Sequence, residues 1–411
     1  MREDCLDLLL APDSPAPSPC FVLDECRLRA NAAILDGVQR ATGAKILLAL
    51  KGFAAWATFP LLSRAGGGPL WGVCASSVDE ARLGREDFGG EVHAFAAAWS
   101  EEEFRELLGL CDHIVFNSLA QWRRFPPLAA AARKAGGRPV SFGLRVNPEH
   151  SEGAVPIYDP CAPGSRLGIR PAQLAEATAG ALEGISGLHF HTLCEQGADA
   201  LERTLAAVEA KFGPWLCGRR WLNFGGGHHI TKAGYDRALL CRLVGRWRAR
   251  YGAQIYLEPG EAVALDAGWL TATVLDVVMA DMPVAVLDSS AACHIPDGLE
   301  MPYRPEVFYA GPDGAPRRAE AAGAGAWPCR LAGKSCLAGD VIGEYAFAAP
   351  ITVGQRLVFG DMAIYSMVKT TTFNGLRLPA IGICRCGDGR PDERFRILRR
   401  FGYEDFRGRL S

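Results

Sequence analysis

The feature that most constrains the fold is an alternation of eight short apolar runs with helix-like segments between residues 30 and 258. The runs are apolar almost throughout, which is typical of strands buried on both faces of a parallel sheet. Eight such strands alternating with helices predict a closed (β/α)8 barrel. In chain order the runs are KILLAL, PLWGVCA, EVHAFAA, HIVFNS, SFGLRVN, GISGLHFH, RRWLNFG and QIYLEPG.

Beyond the eighth run the sequence changes to a pattern typical of β structure. Segments such as TATVLDVVMA and GDVIGEYAF are rich in β-branched residues and are separated by glycine, proline and aspartate. The segment CFVLDE has the same character but precedes the barrel. We therefore predict an α/β protein with a barrel at residues 30–258. A second, C-terminal β-rich domain comprises residues 259–411 with residues 1–29 and is completed by an N-terminal strand.

Composition excludes several classes of partner. A net charge of −2 over 411 residues argues against nucleic acid or an anionic membrane as the main partner. The opening MREDCLDLLL lacks the basic start and long apolar core of a signal peptide. The fourteen cysteines are scattered, and the closest pair, Cys384 and Cys386, lacks metal-ligand spacing. We expect a cytoplasmic protein that has no structural metal and keeps most of its cysteines as small buried thiols.

Four features fall at the carboxyl ends of predicted barrel strands, where barrel enzymes place their reactive groups. Each alone has an ordinary explanation: a surface lysine, a hydrogen-bonded core histidine, a flexible loop and a capping acid. Their convergence on one rim favours a functional site. In chain order they are Lys51 after the first strand, His191 after the sixth, Gly225, Gly226 and Gly227 after the seventh, and Glu258 after the eighth.

Together these groups meet the requirements of pyridoxal 5'-phosphate. A lysine amine binds the aldehyde of that cofactor, and an imidazole can stack on its ring. Loop glycines let backbone N–H groups approach its phosphate. A carboxylate keeps a proton on the ring nitrogen, so that the ring accepts electrons.

The sequence also resembles the alanine-racemase-like, fold-type-III family of pyridoxal phosphate enzymes, which includes ornithine and diaminopimelate decarboxylases. Within that family it is most similar to the branch that converts carboxynorspermidine and carboxyspermidine to norspermidine and spermidine in polyamine biosynthesis. The segments that carry the resemblance run over nearly the whole chain. They are ALKGF, CASSVDEARLG, HFHTLCEQ, WLNFGGGHHIT, LEPGEA, CHIPDGLEMPYRP, SCLAGDVIG, YSMVKTTTFNG and FGYEDFRGRLS.

The resemblance implies roles for individual residues. Lys51 would carry the cofactor, His191 would stack on its ring, and Glu258 would face its ring nitrogen. The Tyr365 hydroxyl would bind the phosphate together with the three glycines. Cys336 would return a proton to the substrate carbon, and it would come from the partner subunit of a homodimer with shared active sites.

The same resemblance implies that Asp297 and Asp340 meet the far end of the substrate. One position departs from the wider family. Ornithine and diaminopimelate decarboxylases have a phosphate-binding arginine after EPG, whereas this chain has Glu261. A carboxylate cannot bind a phosphate dianion, but it could attract an ammonium group of the substrate.

Other functions stay open at this point. Another fold-type-III decarboxylase of the diaminopimelate or ornithine type is one alternative. A racemase is a second, although it would need a further base facing the α-carbon. A non-catalytic cofactor-binding or partner-sequestering homologue is disfavoured because both Lys51 and Cys336 are present. The sequence leaves the preference between carboxynorspermidine and carboxyspermidine undecided.

Overall fold

The computed structural model describes residues 3–411 apart from residues 154, 179, 302, 325–326 and 388. The chain divides into two compact units. One comprises residues 30–263, and the other comprises residues 1–29 together with residues 264–411. The sequence placed this boundary at residue 258, where the eighth barrel strand was expected to end, and the barrel unit continues a few residues further.

Residues 30–263 contain a closed barrel of eight parallel strands, as predicted. Strand β1 (Cys20–Asp24) belongs to the other unit. Pairing of β2 with β9 closes the ring, which brings the carboxyl ends of all eight strands to one edge. The barrel strands are β2 (Lys45–Ala49), β3 (Gly72–Ala75), β4 (Glu91–Phe95), β5 (His113–Phe116), β6 (Ser141–Arg145), β7 (Ile185–His189), β8 (Trp221–Asn223) and β9 (Gln254–Leu257).

Helices connect the barrel strands and also flank the second unit. The described helices are α1 (Glu3–Leu10), α2 (Glu25–Thr42), α3 (Phe59–Leu62), α4 (Val78–Leu83), α5 (Glu101–Leu110), α6 (Leu119–Arg124), α7 (Pro126–Lys134), α8 (Pro171–Ala175), α9 (Ala198–Leu216), α10 (Arg237–Tyr251), α11 (Glu261–Ala264), α12 (Ala291–His294), α13 (Asp297–Glu300), α14 (Ser366–Lys369), α15 (Pro391–Arg394) and α16 (Tyr403–Arg407). Among the residues that the structure describes, no helix is long and apolar enough to cross a membrane.

The interior of the barrel packs around Trp221, which forms a buried cluster with Leu47, Val115 and Tyr256. Two glycines on neighbouring strands make room for this indole. A Cβ atom on Gly143 or Gly187 would come within 2.2 Å or 2.0 Å of Trp221 ring atoms. Close packing of this kind makes the barrel a solid core that fixes the strand ends.

The second unit is built on a sheet of eleven strands within the described residues. Strand β1 pairs antiparallel with β10 and parallel with β18, so the N-terminal strand completes this domain, as predicted. The other strands are β10 (Gly268–Met279), β11 (Pro283–Leu287), β12 (Val307–Ala310), β13 (Pro316–Arg318), β14 (Glu320–Ala321), β15 (Trp327–Ala332), β16 (Val341–Phe347), β17 (Arg356–Gly360), β18 (Ala380–Cys384) and β19 (Phe395–Arg399).

Twelve cysteines of the described chain are free, and one further pair, which was not predicted, is bonded. Cys26 and Cys386 form a disulfide with a Cα–Cα distance of 5.3 Å. The two residues are 360 positions apart in sequence, so their spacing does not predict the pairing. The parallel register of β1 and β18 explains it, because Asp24 lies opposite Cys384 and each cysteine follows its strand by two residues.

Candidate active site

Lys51 and His191 meet at the carboxyl end of the barrel. Lys51 follows β2, and its Nζ lies 3.5 Å from Nε2 of His191, which follows β7. The backbone N–H of Gly226 donates to His191 Nδ1 at 3.0 Å, so that nitrogen is the unprotonated one. Burial, with the nearby Lys51 ammonium, holds the pKa of His191 well below its usual range. The imidazole is therefore neutral, and its position is fixed by the glycine loop.

The three glycines form a tight loop after β8. Gly225 and Gly227 have positive φ angles of 70° and 81°, which favour glycine over any residue with a side chain. A Cβ atom on Gly227 would lie 1.9 Å from the Leu193 carbonyl oxygen. The N–H of Gly225 donates to Asn223 Oδ1 at 2.9 Å, and that of Gly226 is taken by His191. Two of the three N–H groups expected at a phosphate thus already have partners.

Glu258 is held as a charged carboxylate directly after β9. Its Oε1 accepts a hydrogen bond from Asn223 Nδ2 at 2.6 Å, and its Oε2 lies 3.2 Å from His189 Nε2. Burial alone would raise the pKa of Glu258, but the His189 imidazole and the Asn223 amide lower it to about 2. The Glu258 carboxylate therefore stays negatively charged at any ordinary pH and can keep a proton on a basic ring nitrogen.

Sequence reasoning missed three residues of this site: His189, Asn223 and Arg145. Arg145 ends β6, is 4% exposed, and donates from Nη2 to the His191 carbonyl oxygen at 3.0 Å. Its guanidinium lies over the Phe95 ring, 4.5 Å from the centroid, and burial lowers the pKa of Arg145 to about 10. The spacing of His189 and His191 in HFH was a usable signal, because alternate residues of an extended chain share one side.

Glu261 opens α11 and contacts a histidine. Its Oε2 lies 3.1 Å from Nε2 of His229, which follows the glycine loop. Glu80 forms a reciprocal cap at the start of α4. Its backbone N–H donates to Ser77 Oγ at 3.1 Å, and its carboxylate accepts from the Ser76 N–H at 2.6 Å.

The remaining expected site residues lie in the other unit. Cys336 is exposed, and its backbone N–H donates to Asn374 Oδ1 at 2.8 Å. Asp340 is only 2% exposed and accepts hydrogen bonds from Ser290 Oγ at 2.8 Å and from the Ser335 N–H at 3.1 Å. Since Ser335 precedes Cys336, the Asp340 carboxylate fixes the loop that presents the thiol.

Asp297 and Tyr365 complete the expected set. Asp297 begins α13 and, with Glu300, forms an ion pair with Lys369. The group therefore contains two carboxylates and one ammonium. Tyr365 precedes α14 with a φ of 50°, a left-handed conformation that costs a tyrosine free energy. Such conformations cluster at sites where backbone geometry is functional.

The residues in the barrel suit pyridoxal phosphate. A lysine amine, a neutral imidazole fixed beside it and a buried anionic carboxylate all lie at the carboxyl edge of one barrel. Each is the chemical group that the aldehyde, the ring face and the ring nitrogen require.

Comparison with known proteins gives the same chemistry. Residues 20–363 match the family described as "Pyridoxal-dependent decarboxylase, C-terminal sheet domain". The chain is 45% identical over 400 residues to carboxyaminopropylagmatine decarboxylase from Synechocystis sp., covering 97% of this chain and 96% of the relative. It is 40% identical over 391 residues to carboxynorspermidine/carboxyspermidine decarboxylase from Campylobacter jejuni, covering 95% and 97%.

A solved structure is similar at the level of the whole chain. It is the crystal structure of carboxynorspermidine decarboxylase from Campylobacter jejuni in complex with norspermidine. The TM-score is 0.81 at 39% identity, and the match covers 95% of this chain and 99% of that one. The similarity therefore extends over both units.

Proposed function

The chain belongs to the pyridoxal-dependent decarboxylase family, and from that premise we propose that it decarboxylates carboxynorspermidine or carboxyspermidine, releasing norspermidine or spermidine. Its cofactor is pyridoxal phosphate, and its reaction is the loss of a carboxyl group as CO2. The observation that carries the proposal is the Lys51–His191 contact beside the buried Glu258 carboxylate, in a chain that matches relatives of this activity over nearly its full length.

In this proposal the barrel residues hold and orient the reacting groups. When bound, pyridoxal phosphate supplies an electron-accepting ring that takes up the electron pair left when the carboxylate departs. The Lys51 amine would hold the cofactor through its aldehyde group. The Glu258 carboxylate would keep a proton on the ring nitrogen, and the His191 imidazole would support the ring. Gly227 would bind phosphate oxygens through its backbone N–H, and the Tyr365 hydroxyl is the further phosphate ligand that the resemblance implies.

Cys336 returns a proton to the carbon that has lost CO2, and it does so from the partner subunit of a homodimer. An exposed cysteine on a fixed loop supports this role, because the thiol must reach a substrate that its own unit does not hold. We also propose a cytoplasmic location. Twelve cysteines are free within the described chain and only Cys26 and Cys386 are paired there, and this excess of free thiols suits a reducing compartment.

Recognition of the substrate tail needs anionic groups, because the tail carries ammonium groups near neutral pH. The group formed by Asp297, Glu300 and Lys369 offers two carboxylates to one ammonium and is the leading candidate. Asp340 acts on the same region by holding the Cys336 loop. Asp297→Asn is expected to raise KM for a polyamine substrate about tenfold or more, since a charge-assisted hydrogen bond is worth roughly 1.5–3 kcal/mol.

A second candidate substrate is carboxyaminopropylagmatine, since a relative named for that activity is 45% identical to this chain. The two substrate classes differ at the far end. Agmatine ends in a planar guanidinium, which binds a carboxylate with two parallel hydrogen bonds, whereas spermidine ends in a compact ammonium. Asp297 and Glu300 could serve either group, so the assay must include both.

The test is a product assay with purified enzyme and pyridoxal phosphate. Carboxynorspermidine, carboxyspermidine, carboxyaminopropylagmatine, ornithine, lysine and diaminopimelate are compared by kcat/KM, with Lys51→Ala as the inactive control. We expect the carboxylated polyamines to exceed the three amino acids by at least a hundredfold. A higher kcat/KM for carboxyaminopropylagmatine would select the second candidate, and turnover of diaminopimelate or ornithine alone would reject both.

A further inference from the structure

Three side chains at the carboxyl edge of the barrel bring metal-ligating atoms together. One atom from each of Glu195, His229 and Glu261 lies within 4.8 Å of the others, and we call these residues the rim cluster. They come from the segments that follow β7, β8 and β9. The Gln196 N–H donates to the Gly227 carbonyl oxygen at 3.0 Å, and the His229 N–H donates to the Gln196 carbonyl oxygen at 3.2 Å. Backbone hydrogen bonds therefore hold the segments that carry Glu195 and His229 together before any ligand arrives.

The histidine of the rim cluster is the observation that points to a ligand. His229 is only 4% exposed, and neither ring nitrogen makes a hydrogen bond of normal geometry to any residue that the structure describes. Buried polar atoms without hydrogen bonds are costly and uncommon. Nε2 nevertheless lies 3.1 Å from Glu261 Oε2. Two potential ligand atoms that lie this close without a hydrogen bond between them suit coordination of a shared metal ion.

The spacing agrees with coordination of a metal ion. Ligand atoms 3.1 Å apart, each about 2.1 Å from an ion, subtend an angle of about 95° at that ion, between octahedral and tetrahedral values. One imidazole nitrogen and two carboxylate oxygens are the donor set that Zn²⁺ and Mn²⁺ accept. Three protein ligands leave open positions for water or for an anion.

The negative charge around the rim cluster is a second, independent argument for a bound cation. Two carboxylates stand beside the glycine loop, where the cofactor's phosphate dianion is expected, and two of the three glycine N–H groups already have partners. Anions so close together repel unless a cation lies among them. The arginine that serves this purpose in the wider family is replaced by Glu261.

We propose that the rim cluster binds one divalent transition-metal ion, Zn²⁺ or Mn²⁺. The ion stabilises the glycine loop and offsets the charge of the neighbouring phosphate. A second group, Glu91 with His93 and His113, also has donor atoms within 4.8 Å of one another. It carries no such proposal, because Lys45 already neutralises Glu91 there and would repel a metal ion.

The test is metal binding by untagged protein after dialysis against a chelator. Calorimetric titration with ZnCl2 and electron paramagnetic resonance titration with MnCl2 are expected to show one rim site per chain, and Glu195→Gln and Glu261→Gln to weaken it at least tenfold. Glu152→Gln is the matched control, since Glu152 forms another His–Glu contact, 3.2 Å from His150, that is not part of a three-donor group in the described chain. Circular dichroism confirms folding, and Glu195 is exposed, so its variant tests the site even if Glu261→Gln misfolds.

Equal affinity in wild type, Glu195→Gln and Glu261→Gln would overturn the proposal, as would the absence of binding in wild type. If no metal binds and Glu261→Gln only raises KM for a polyamine, then the rim cluster binds a substrate ammonium and the metal is rejected. The binding titrations use protein without substrate, so their outcome is independent of which polyamine the enzyme decarboxylates.

Discussion

Replacing Glu258 with glutamine separates the charge of this carboxylate from its shape. The two oxygens of Glu258 face two donors, Asn223 Nδ2 at 2.6 Å and His189 Nε2 at 3.2 Å. Glutamine keeps one oxygen and turns an NH2 group toward the other donor. The pKa of Glu258 is lowered from 4.5 to about 2, which corresponds to about 3.5 kcal/mol of stabilisation at roughly 1.4 kcal/mol per unit. We expect Glu258→Gln to lose about that much stability at neutral pH.

The sign of the pH dependence follows from the lowered pKa. The contribution is complete above about pH 4.5 and is lost as the pH falls toward 2, so wild-type stability should drop more steeply in that range than that of Glu258→Gln. Turnover should fall roughly 10- to 150-fold, because a charge-assisted hydrogen bond of about 1.5–3 kcal/mol is lost where the ring nitrogen must stay protonated.

The assay pairs urea unfolding across pH with kcat of the holoenzyme. Glu91→Gln is the matched control, because the pKa of Glu91 is also lowered to about 2, by the His93 and Lys45 contacts that outweigh its burial. Glu91 begins β4, whereas Glu258 follows the end of β9, so the two acids lie at opposite ends of the barrel. Glu91→Gln should lose stability with kcat within about threefold of wild type. Equal kcat values for the two variants, or equal acid slopes for wild type and Glu258→Gln, would refute the reasoning.

Three further predictions concern the other site residues. Borohydride reduction of the holoenzyme should attach the cofactor to the peptide that contains Lys51, and a label on another lysine by mass spectrometry would displace this residue from its role. Lys51→Ala and Cys336→Ala should each be inactive when assayed alone. If the two subunits of a dimer share their active sites, a 1:1 mixture of the variants should recover about 25% of wild-type activity after subunit exchange. No recovery would show that both residues act in the site of one chain. Asp340→Asn should lower kcat, because the substitution loosens the loop that carries Cys336, while the absorbance of the bound cofactor stays unchanged. Loss of the cofactor in this variant would contradict the role given to Asp340.

Much of the fold was predictable because burial on both faces imposes a visible pattern. All eight barrel strands coincide with the apolar runs, since strands that contact neighbours and helices on every side need apolar residues throughout. The N-terminal strand was recognisable for the same reason, although its two partners, β10 and β18, were not. Pairing between segments hundreds of residues apart leaves no pattern in the local sequence. The Cys26–Cys386 disulfide was not predicted for this reason.

The site was predictable where a residue type is unusual for its position. A lysine or a glutamate at the end of a buried strand is costly unless it has a function or a partner, and so Lys51 and Glu258 stood out. Arg145 ends its strand in the same manner, but nothing local to β6 showed that its partners would be the His191 carbonyl and the Phe95 ring. Likewise, the contact of Asp297 with Lys369 depends on tertiary structure that the sequence pattern does not contain.

The two low-pKa glutamates of the barrel show why a perturbed pKa does not identify a site by itself. Glu91 and Glu258 both have pKa values near 2, and histidine contacts help to lower both. Around Glu91, however, Lys45 and the Tyr256 hydroxyl also take up the carboxylate oxygens, which leaves a closed ion pair at the amino-terminal end of the strands. Glu258 lies at the carboxyl end, where the strand-following loops bring Lys51 and the glycines together. Position along the barrel, more than the size of the pKa shift, distinguishes the acid that can act on a cofactor from the acid that stabilises the fold.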